Sequence, residues 1–318
     1  MTIPTPSRRA ILIGAVAVLA FLLPAAGAAS HQPIAAPRLG LATPAGTPDP
    51  AAYARPEWLA EPAWLRDHPA DPTLRVVALT PAAEFARGHV PGAVQVDWPA
   101  LEVTDTADPS IARWQGEIEA ALTALGIAPT DTVVVYDGGT LYAPRLWWIL
   151  RQLGHADVRV LNGGLAGWQA AGGELATGAA PVGSAPREPY RGVPQPDVLA
   201  QLDEVVAALD DPGTRLVDAR TAEEHAAGHI PGAVLVPFAD NAGPDGRWKP
   251  AAELRARYAG LGVTPDTRVI PYCTTGVRSA ATYFTLGLLG YPDIALFTGS
   301  WAEWSADPEL PTTVGATP

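Results

Sequence analysis

The run Gly88-His89-Val90-Pro91-Gly92-Ala93-Val94 returns 140 residues later as Gly228-His229-Ile230-Pro231-Gly232-Ala233-Val234. Further on, Tyr136-Asp137 returns as Tyr272-Cys273, Leu153-Gly154 as Leu289-Gly290, Gly163 as Gly299 and Trp168 as Trp304, each after 136 residues. Matches in one order at two neighbouring offsets define a tandem duplication whose second copy is four residues shorter between its turn motif and its strand. Such a chain folds as two like units, and what one copy has kept and the other lost becomes informative.

Each copy carries short apolar runs without alternation: Arg75-Val76-Val77-Ala78-Leu79, Thr132-Val133-Val134-Val135-Tyr136, Val158-Arg159-Val160-Leu161 and Arg215-Leu216-Val217-Asp218. Between them lie helical stretches at 117–125, 144–153, 198–209 and 251–258. Non-alternating strands separated by helices predict a mostly parallel central sheet with helices on both faces, so each half is an α/β domain. With 48% hydrophobic residues and ten Trp among 318 residues, the chain has ample material for packed cores and is not disordered as a whole.

Residues outside the repeats read differently. Ser7-Arg8-Arg9 precedes a 14-residue apolar run from Ala10 to Leu23, then Pro24 and the small residues Ala26-Gly27-Ala28. These are the three parts of a cleavable export signal over 1–28, and the run is shorter than the roughly 20 residues a spanning helix needs. The Arg pair suggests the twin-arginine route, with a periplasmic or extracellular destination and no stable membrane insertion after cleavage. Cleavage would remove two of the 21 basic residues and none of the 33 acidic ones, moving the formal net charge from -12 to -14. A chain this acidic, without a basic patch, is not expected to bind nucleic acid. Residues 29–52, rich in Ala, Pro and Thr, predict a flexible leader. Residues 178–196, rich in Pro and Gly, predict a linker between domains at 53–177 and 197–312, with 313–318 a tail.

The single cysteine, Cys273, follows a strand-like segment and precedes an Ala- and Leu-rich helical one. A thiol there faces loop N–H groups and the positive end of a helix, which favour a thiolate. A lone cysteine also cannot form an internal disulfide. Gly276 at the fourth loop position permits unusual backbone angles, so the loop Cys273-Thr274-Thr275-Gly276-Val277-Arg278 can curl its N–H groups inward as an anion nest. Such a nest suits attack on phosphate or on sulfane sulfur. Phosphate calls for Arg six residues after the cysteine, where this chain has Ser279; Arg278 comes one residue early, in a tighter loop suited to one added sulfur atom.

The Gly-His-Ile-Pro-Gly-Ala turn, the Asp218-Ala219-Arg220 strand end, the Tyr-Cys-x-x-Gly-Val-Arg loop and the closing Gly299-Ser300-Trp301-x-x-Trp304 together resemble rhodanese domains, and residues 53–312 are similar to a tandem-domain sulfurtransferase. The resemblance implies that the second domain is catalytic and that the first, with Asp137 in place of the cysteine and Ala78-Leu79-Thr80 in place of Asp218-Ala219-Arg220, is a structural partner. It implies a ping-pong reaction in which Cys273 takes sulfane sulfur from a small anionic donor, thiosulfate or 3-mercaptopyruvate, and passes it from a persulfide to cyanide or a thiol. No metal or organic cofactor is called for, and a monomer is expected. Arg220 and Arg278 are the expected donor contacts, with Thr274, Thr275, Gly276 and Val277 forming the loop; the alternative for Arg278 is an ion pair with Asp218 or Glu224 that braces the loop. The resemblance puts Thr275 and His89 where mercaptopyruvate enzymes have a possible proton relay, but bracing of a turn is the favoured reading of His89 and, more strongly, of His229. A zinc site at His225 and His229 fails because Pro231 and Gly232 break the helix that would align them. Trp301 and Trp304 read as core or cleft wall.

Three points stay open. The segment from Arg220 to Gly228 is too short for the extra arginine of mercaptopyruvate enzymes, which favours thiosulfate, while the Thr-Thr pair lacks the loop cation of many thiosulfate enzymes. A persulfide carrier without turnover is the non-enzymatic alternative, and the missing C-x5-R argues against a phosphatase. Pro271, two residues before the cysteine, is out of place in a central strand because it has no N–H for the ladder.

Overall fold

A computed structural model describes residues 51–69, 71–96, 103, 105–139, 141–179 and 188–316. The export signal and nearly all of the leader lie outside the described residues. Among the described residues no helix is long and apolar enough to cross a membrane.

The first repeat runs β1 (Leu59–Ala60), α1 (Pro62–Asp67), β2 (Leu74–Ala78), α2 (Ala82–Arg87), β3 (Val94–Gln95), α3 (Asp108–Ala124), β4 (Thr132–Tyr136), α4 (Ala143–Gln152), β5 (Asp157–Leu161) and α5 (Gly164–Ala170). Its five strands form an all-parallel sheet in the order β1-β5-β4-β2-β3. The apolar runs do not alternate because both faces are covered. Val133 and Val135 point into the core shared with the second repeat, whereas Val134 and Tyr136 point into a separate core with Phe85 and Trp168.

The second repeat follows with α6 (Leu202–Ala208), β6 (Thr214–Asp218), α7 (Ala222–Ala227), β7 (Val234–Leu235), α8 (Ala251–Gly260), β8 (Arg268–Tyr272), α9 (Val277–Leu288) and α10 (Ser300–Trp304). Its sheet contains three strands in the order β7-β6-β8. The positions of the other two survive as parallel bridges, Val269 to Ile294 and Leu199 to Leu296, where the first repeat has continuous pairing of Val133 with Val158 and Leu59 with Val160. Pro271 explains the difference. It lies within β8, paired with Val217 on one side, and on the other accepts from Phe297 N at 3.2 Å but has no N–H to give back. Its first-repeat counterpart, Val135, pairs with Val160. One missing donor thus reduces a ladder to bridges.

The predicted helices at 144–153 and 251–258 match α4 and α8 to within a residue or two, and 117–125 is the end of the longer α3. The 198–209 stretch begins its α-helix at Leu202. The linker departs further from expectation. Its described part from 188 is tied down on the first repeat: Tyr190 is fully buried, with its hydroxyl 3.0 Å from His155 Nδ1. Gly192 N donates to Glu119 Oε1, Val193 N to Leu153 O and Gln195 N to Gln152 O. The segment read as a linker is thus anchored on the first repeat by its tyrosine.

The two repeats share one apolar core, centred where α4 packs on α9. Phe284 sits edge-on to Trp147 at 4.8 Å and meets Trp248 at 4.8 Å and Trp58 at 6.1 Å. Arg55 Nη1 donates to Gly287 O at 2.7 Å, so the segment before β1 straps the second repeat. Gly287 permits this contact, since a Cβ there would lie 2.2 Å from Trp58 Cζ3. Alanine is the better helix former by about 1 kcal/mol, but here the clash wins. Gly287→Ala is expected to lower unfolding stability by about 1–3 kcal/mol through overpacking, read from the denaturant midpoint; a stabilised variant would show that the Trp58 contact is loose.

Candidate active site

β8 ends at Tyr272, and Cys273 opens the turn into α9. Cys273 is a free thiol, 1% exposed. Its backbone is gripped at both ends: its N–H donates to Ser300 Oγ at 3.1 Å, and its carbonyl accepts from Trp301 N at 3.0 Å. Ala302 N donates to Thr274 O at 3.0 Å. Gly276 caps α9 at φ 81°, and a Cβ there would stand 2.6 Å from Thr298 O. Only glycine fits the curl on both counts.

The first repeat shows what such a turn can hold. Asp137 stands at the position of the thiol, in a loop that runs two residues longer before its helix, and its carboxylate is buried. It accepts N–H bonds from Gly139 at 2.9 Å, Leu141 at 2.9 Å, Tyr142 at 2.6 Å and Ala143 at 3.2 Å. Burial raises the Asp137 pKa above the ordinary carboxylate range, with these four N–H donors pulling against the rise. The turn is therefore an anion nest built from backbone. The positions aligned with these donors in the second repeat are Thr275, Val277, Arg278 and Ser279, where the helix begins two residues earlier, at Val277.

Beside the loop lies a pocket of about 270 Å³ lined by Arg220, Glu224, Ala227, Gly228, Thr274 and Trp301. Cys273 is not itself in this lining but immediately precedes Thr274, which is. The two arginines predicted as donor contacts are both paired. Arg278 forms a fork with Glu224, at 2.6 and 2.7 Å, and donates to Thr274 Oγ1 at 2.6 Å, which is the bracing alternative. The Arg278 guanidinium holds the Glu224 carboxyl down to about 2, so the pair stays ionised at any working pH. Glu224 also completes the capping box of α7 with Thr221.

Arg220 is 3% exposed and pairs with Asp218 through Nε at 3.0 Å and Nη2 at 2.7 Å; Nη2 also donates to Gly228 O at 2.7 Å. Its guanidinium stacks 4.6 Å over Trp301. Among the described residues Nη1 has no hydrogen-bond partner, and Arg220 lines the pocket. Both terminal nitrogens of Arg278 are engaged by Glu224 and Thr274, and its guanidinium also faces the Cys273 side chain.

The remaining predicted residues separate. Thr274 lines the pocket; Thr275 is half-buried in the loop; Gly276 and Val277 form the helix start. His89 is buried in the first repeat, with Nδ1 2.9 Å from Phe85 O and its ring stacked on Phe85 at 3.7 Å. His229 repeats that arrangement on His225, at 2.9 Å and 3.7 Å. Both hydrogen bonds brace turns, and nothing among these contacts joins His89 to Thr275. α7 ends at Ala227, before His229, and no cluster of metal-ligating groups occurs among the described residues. Trp304 is core and Trp301 is cleft wall.

Two site features escaped the sequence reading. The hydroxyl of Ser300 on Cys273 is one, and comparison of repeats would have exposed it, since the first copy has Gly164 there. The other is a cross-repeat contact: Glu303 on α10 accepts from Thr106 N at 2.9 Å and Thr106 Oγ1 at 2.8 Å, tying the helix that grips Cys273 to the first repeat. No local motif announces it.

A free, buried thiol in a short turn, backed by a cysteine-free sister domain, defines a thiol-dependent group-transfer enzyme. Comparison specifies the family: residues 61–171 and 201–307 both match the Rhodanese-like domain, and the chain belongs to that family. It is 32% identical over 269 residues to the 3-mercaptopyruvate sulfurtransferase of Escherichia coli (strain K12), covering 78% of this chain and 94% of the relative. It is 34% identical to the thiosulfate sulfurtransferase of Pseudomonas aeruginosa, covering 76% and 92%. The crystal structure of SseA from Escherichia coli, a 3-mercaptopyruvate sulfotransferase, superposes with a TM-score of 0.66 at 30% identity, covering 77% of this chain and 98% of that one. The protein is a two-domain sulfurtransferase of the rhodanese family.

His225 offers a test of the site's electrostatics. It is buried, with Nδ1 2.9 Å from Asp218 and with His229 and Arg220 as neighbours. Burial lowers its pKa, and the charges of His229 and Arg220 add to this against the Asp218 hydrogen bond. An imidazole lowered in the fold binds fewer protons than in the unfolded chain, so stability falls as pH drops through the ordinary value near 6.5. His225→Phe, which copies Phe85 of the first repeat, is expected to flatten the fall in Tm between about pH 7 and pH 5. An unchanged slope would mean that His225 protonates freely in the fold.

Proposed function

We propose that thiosulfate is the preferred small donor and that Arg220 is its cationic contact. The observation that carries this is the pairing of Arg278 with Glu224, while Arg220 lines the pocket with Nη1 uncommitted among the described residues. A donor such as 3-mercaptopyruvate presents a carboxylate and a keto oxygen at fixed separation and asks for two directed cationic contacts. Thiosulfate is compact, and one guanidinium nitrogen with a backbone nest suffices for it.

The reaction balances without a cofactor. Cys273 Sγ, as thiolate, attacks the outer sulfur of thiosulfate; an Sγ–S bond forms, the donor S–S bond breaks, and the pair leaves on sulfite. Cyanide or a thiolate then attacks the terminal sulfur, and Sγ departs as thiolate. The N–H groups of the nest stabilise the anionic sulfur in both half-reactions, as four N–H groups hold Asp137 in the sister domain.

Thiocyanate formation from each donor tests the donor choice. Thiosulfate is expected to give the larger kcat/KM, with Cys273→Ala inactive. Arg220→Lys, which keeps charge and loses the fork, is expected to raise KM for thiosulfate about tenfold; an unchanged KM would remove Arg220 from donor binding, and a higher kcat/KM with 3-mercaptopyruvate would reverse the donor choice. We further propose that residues 1–28 direct export, on the twin arginines, the short apolar run and the small-residue site; a mature protein from its own host beginning near Ser30 supports this, and an intact amino terminus in the cytoplasm refutes it.

A further inference from the structure

Ser300 has φ 56°, the one positive value among the described non-glycine residues. A residue with a Cβ is disfavoured in that left-handed region, and glycine is its usual occupant. The first repeat supplies the comparison: at the equivalent position Gly164 has the same φ of 56°. The flanking bonds correspond too, since Leu165 N donates to Asp137 O at 3.2 Å as Trp301 N donates to Cys273 O at 3.0 Å. A Cβ on Gly164 would stand 2.6 Å from Asp137 O. The second repeat accommodates Ser300 in full burial at the same backbone angle and so keeps a strained residue where glycine serves its sister.

The strained backbone carries a hydroxyl to the cysteine. Ser300 Oγ donates to Phe297 O at 2.8 Å and accepts the Cys273 N–H at 3.1 Å. Asp137 needs no such support, because its carboxylate is fixed by the four N–H groups it accepts from. A thiol makes weak hydrogen bonds, so its aim depends on the peptide that bears it. That peptide is held on the N–H side by Ser300 and on the carbonyl side by Trp301.

We propose that Ser300 is a positioning residue for the nucleophile: its hydroxyl fixes the Cys273 peptide so that Sγ stays aimed at the donor's outer sulfur. The inference rests on the sulfur-transfer role of Cys273. The role falls on the reacting atom and leaves the pocket wall untouched, so it affects the rate of persulfide formation and spares donor binding.

Two variants separate hydroxyl from strain. Ser300→Gly removes both, and Ser300→Ala removes the hydroxyl alone. Rapid-quench measurement of persulfide formation, with whichever of thiosulfate and 3-mercaptopyruvate charges the wild type, gives the limiting rate and the half-saturating donor concentration. Both variants are expected to lose about tenfold in limiting rate with half-saturation within about twofold of wild type, and Ser300→Gly to unfold at a higher temperature than Ser300→Ala. The Ser300→Gly variant carries the test if Ser300→Ala fails to fold. A Ser300→Gly enzyme with the wild-type limiting rate overturns the proposal, as does one whose loss lies wholly in half-saturation. A wild type that gains no sulfur from either donor would instead defeat the sulfur-transfer reading on which the proposal stands.

Discussion

The fully buried Asp218 carboxylate accepts from Arg220 Nε and Nη2, from the Arg220 backbone N–H, from His225 Nδ1 and from Tyr272 OH at 3.1 Å. These bonds join the end of β6, helix α7 and the last residue of β8, and through Arg220 they reach Gly228, the first residue of the Gly-His-Ile-Pro-Gly turn. Tyr272 OH in turn accepts from Ile230 N at 3.2 Å. Cys273 follows Tyr272, so the point from which the nucleophile springs is set by this carboxylate. Taking it out of water costs several kcal/mol unless the partners are well placed. Removing Asp218 would strand Arg220 as a buried, unpaired charge beside the site.

Duplication produced two strand-to-helix turns, and three of the substitutions between them bear on the chemistry. Asp137 became, or stayed, a carboxylate that fills its own nest, while Cys273 leaves the nest to whatever anion its sulfur carries. Tyr142 stands where Arg278 forks onto Glu224. Gly164 stands where Ser300 bears its hydroxyl. The first repeat contributes through contact: it shares the core around Trp147 and Phe284 and holds α10 through Thr106 and Glu303.

The amino-acid sequence was informative where structure is local or repeated. Offsets of 136 and 140 residues paired Cys273 with Asp137, non-alternating valines read as a doubly covered sheet, and Gly276 read as the curl of the loop. It was less informative where outcomes depend on partners far along the chain. Whether Arg278 meets a substrate or Glu224 was open, because the pair spans 54 residues and depends on how α7 sits against the loop. The Pro/Gly-rich composition of the linker does not show that Tyr190 is buried beside His155. Pro271 looked out of place in a central strand and proved to be a true strand residue, whose missing N–H leaves bridges where the first repeat has a ladder.

The central claim is that Cys273, in a nest of backbone N–H groups, carries sulfur covalently between donor and acceptor. Intact mass spectrometry tests it most directly, since the chain has a single cysteine. The wild type treated with thiosulfate should gain one sulfur atom and lose it on addition of cyanide, and Cys273→Ser should gain none. A wild type that takes up no sulfur from either thiosulfate or 3-mercaptopyruvate, or a Cys273→Ser protein that takes it up equally, would contradict the account.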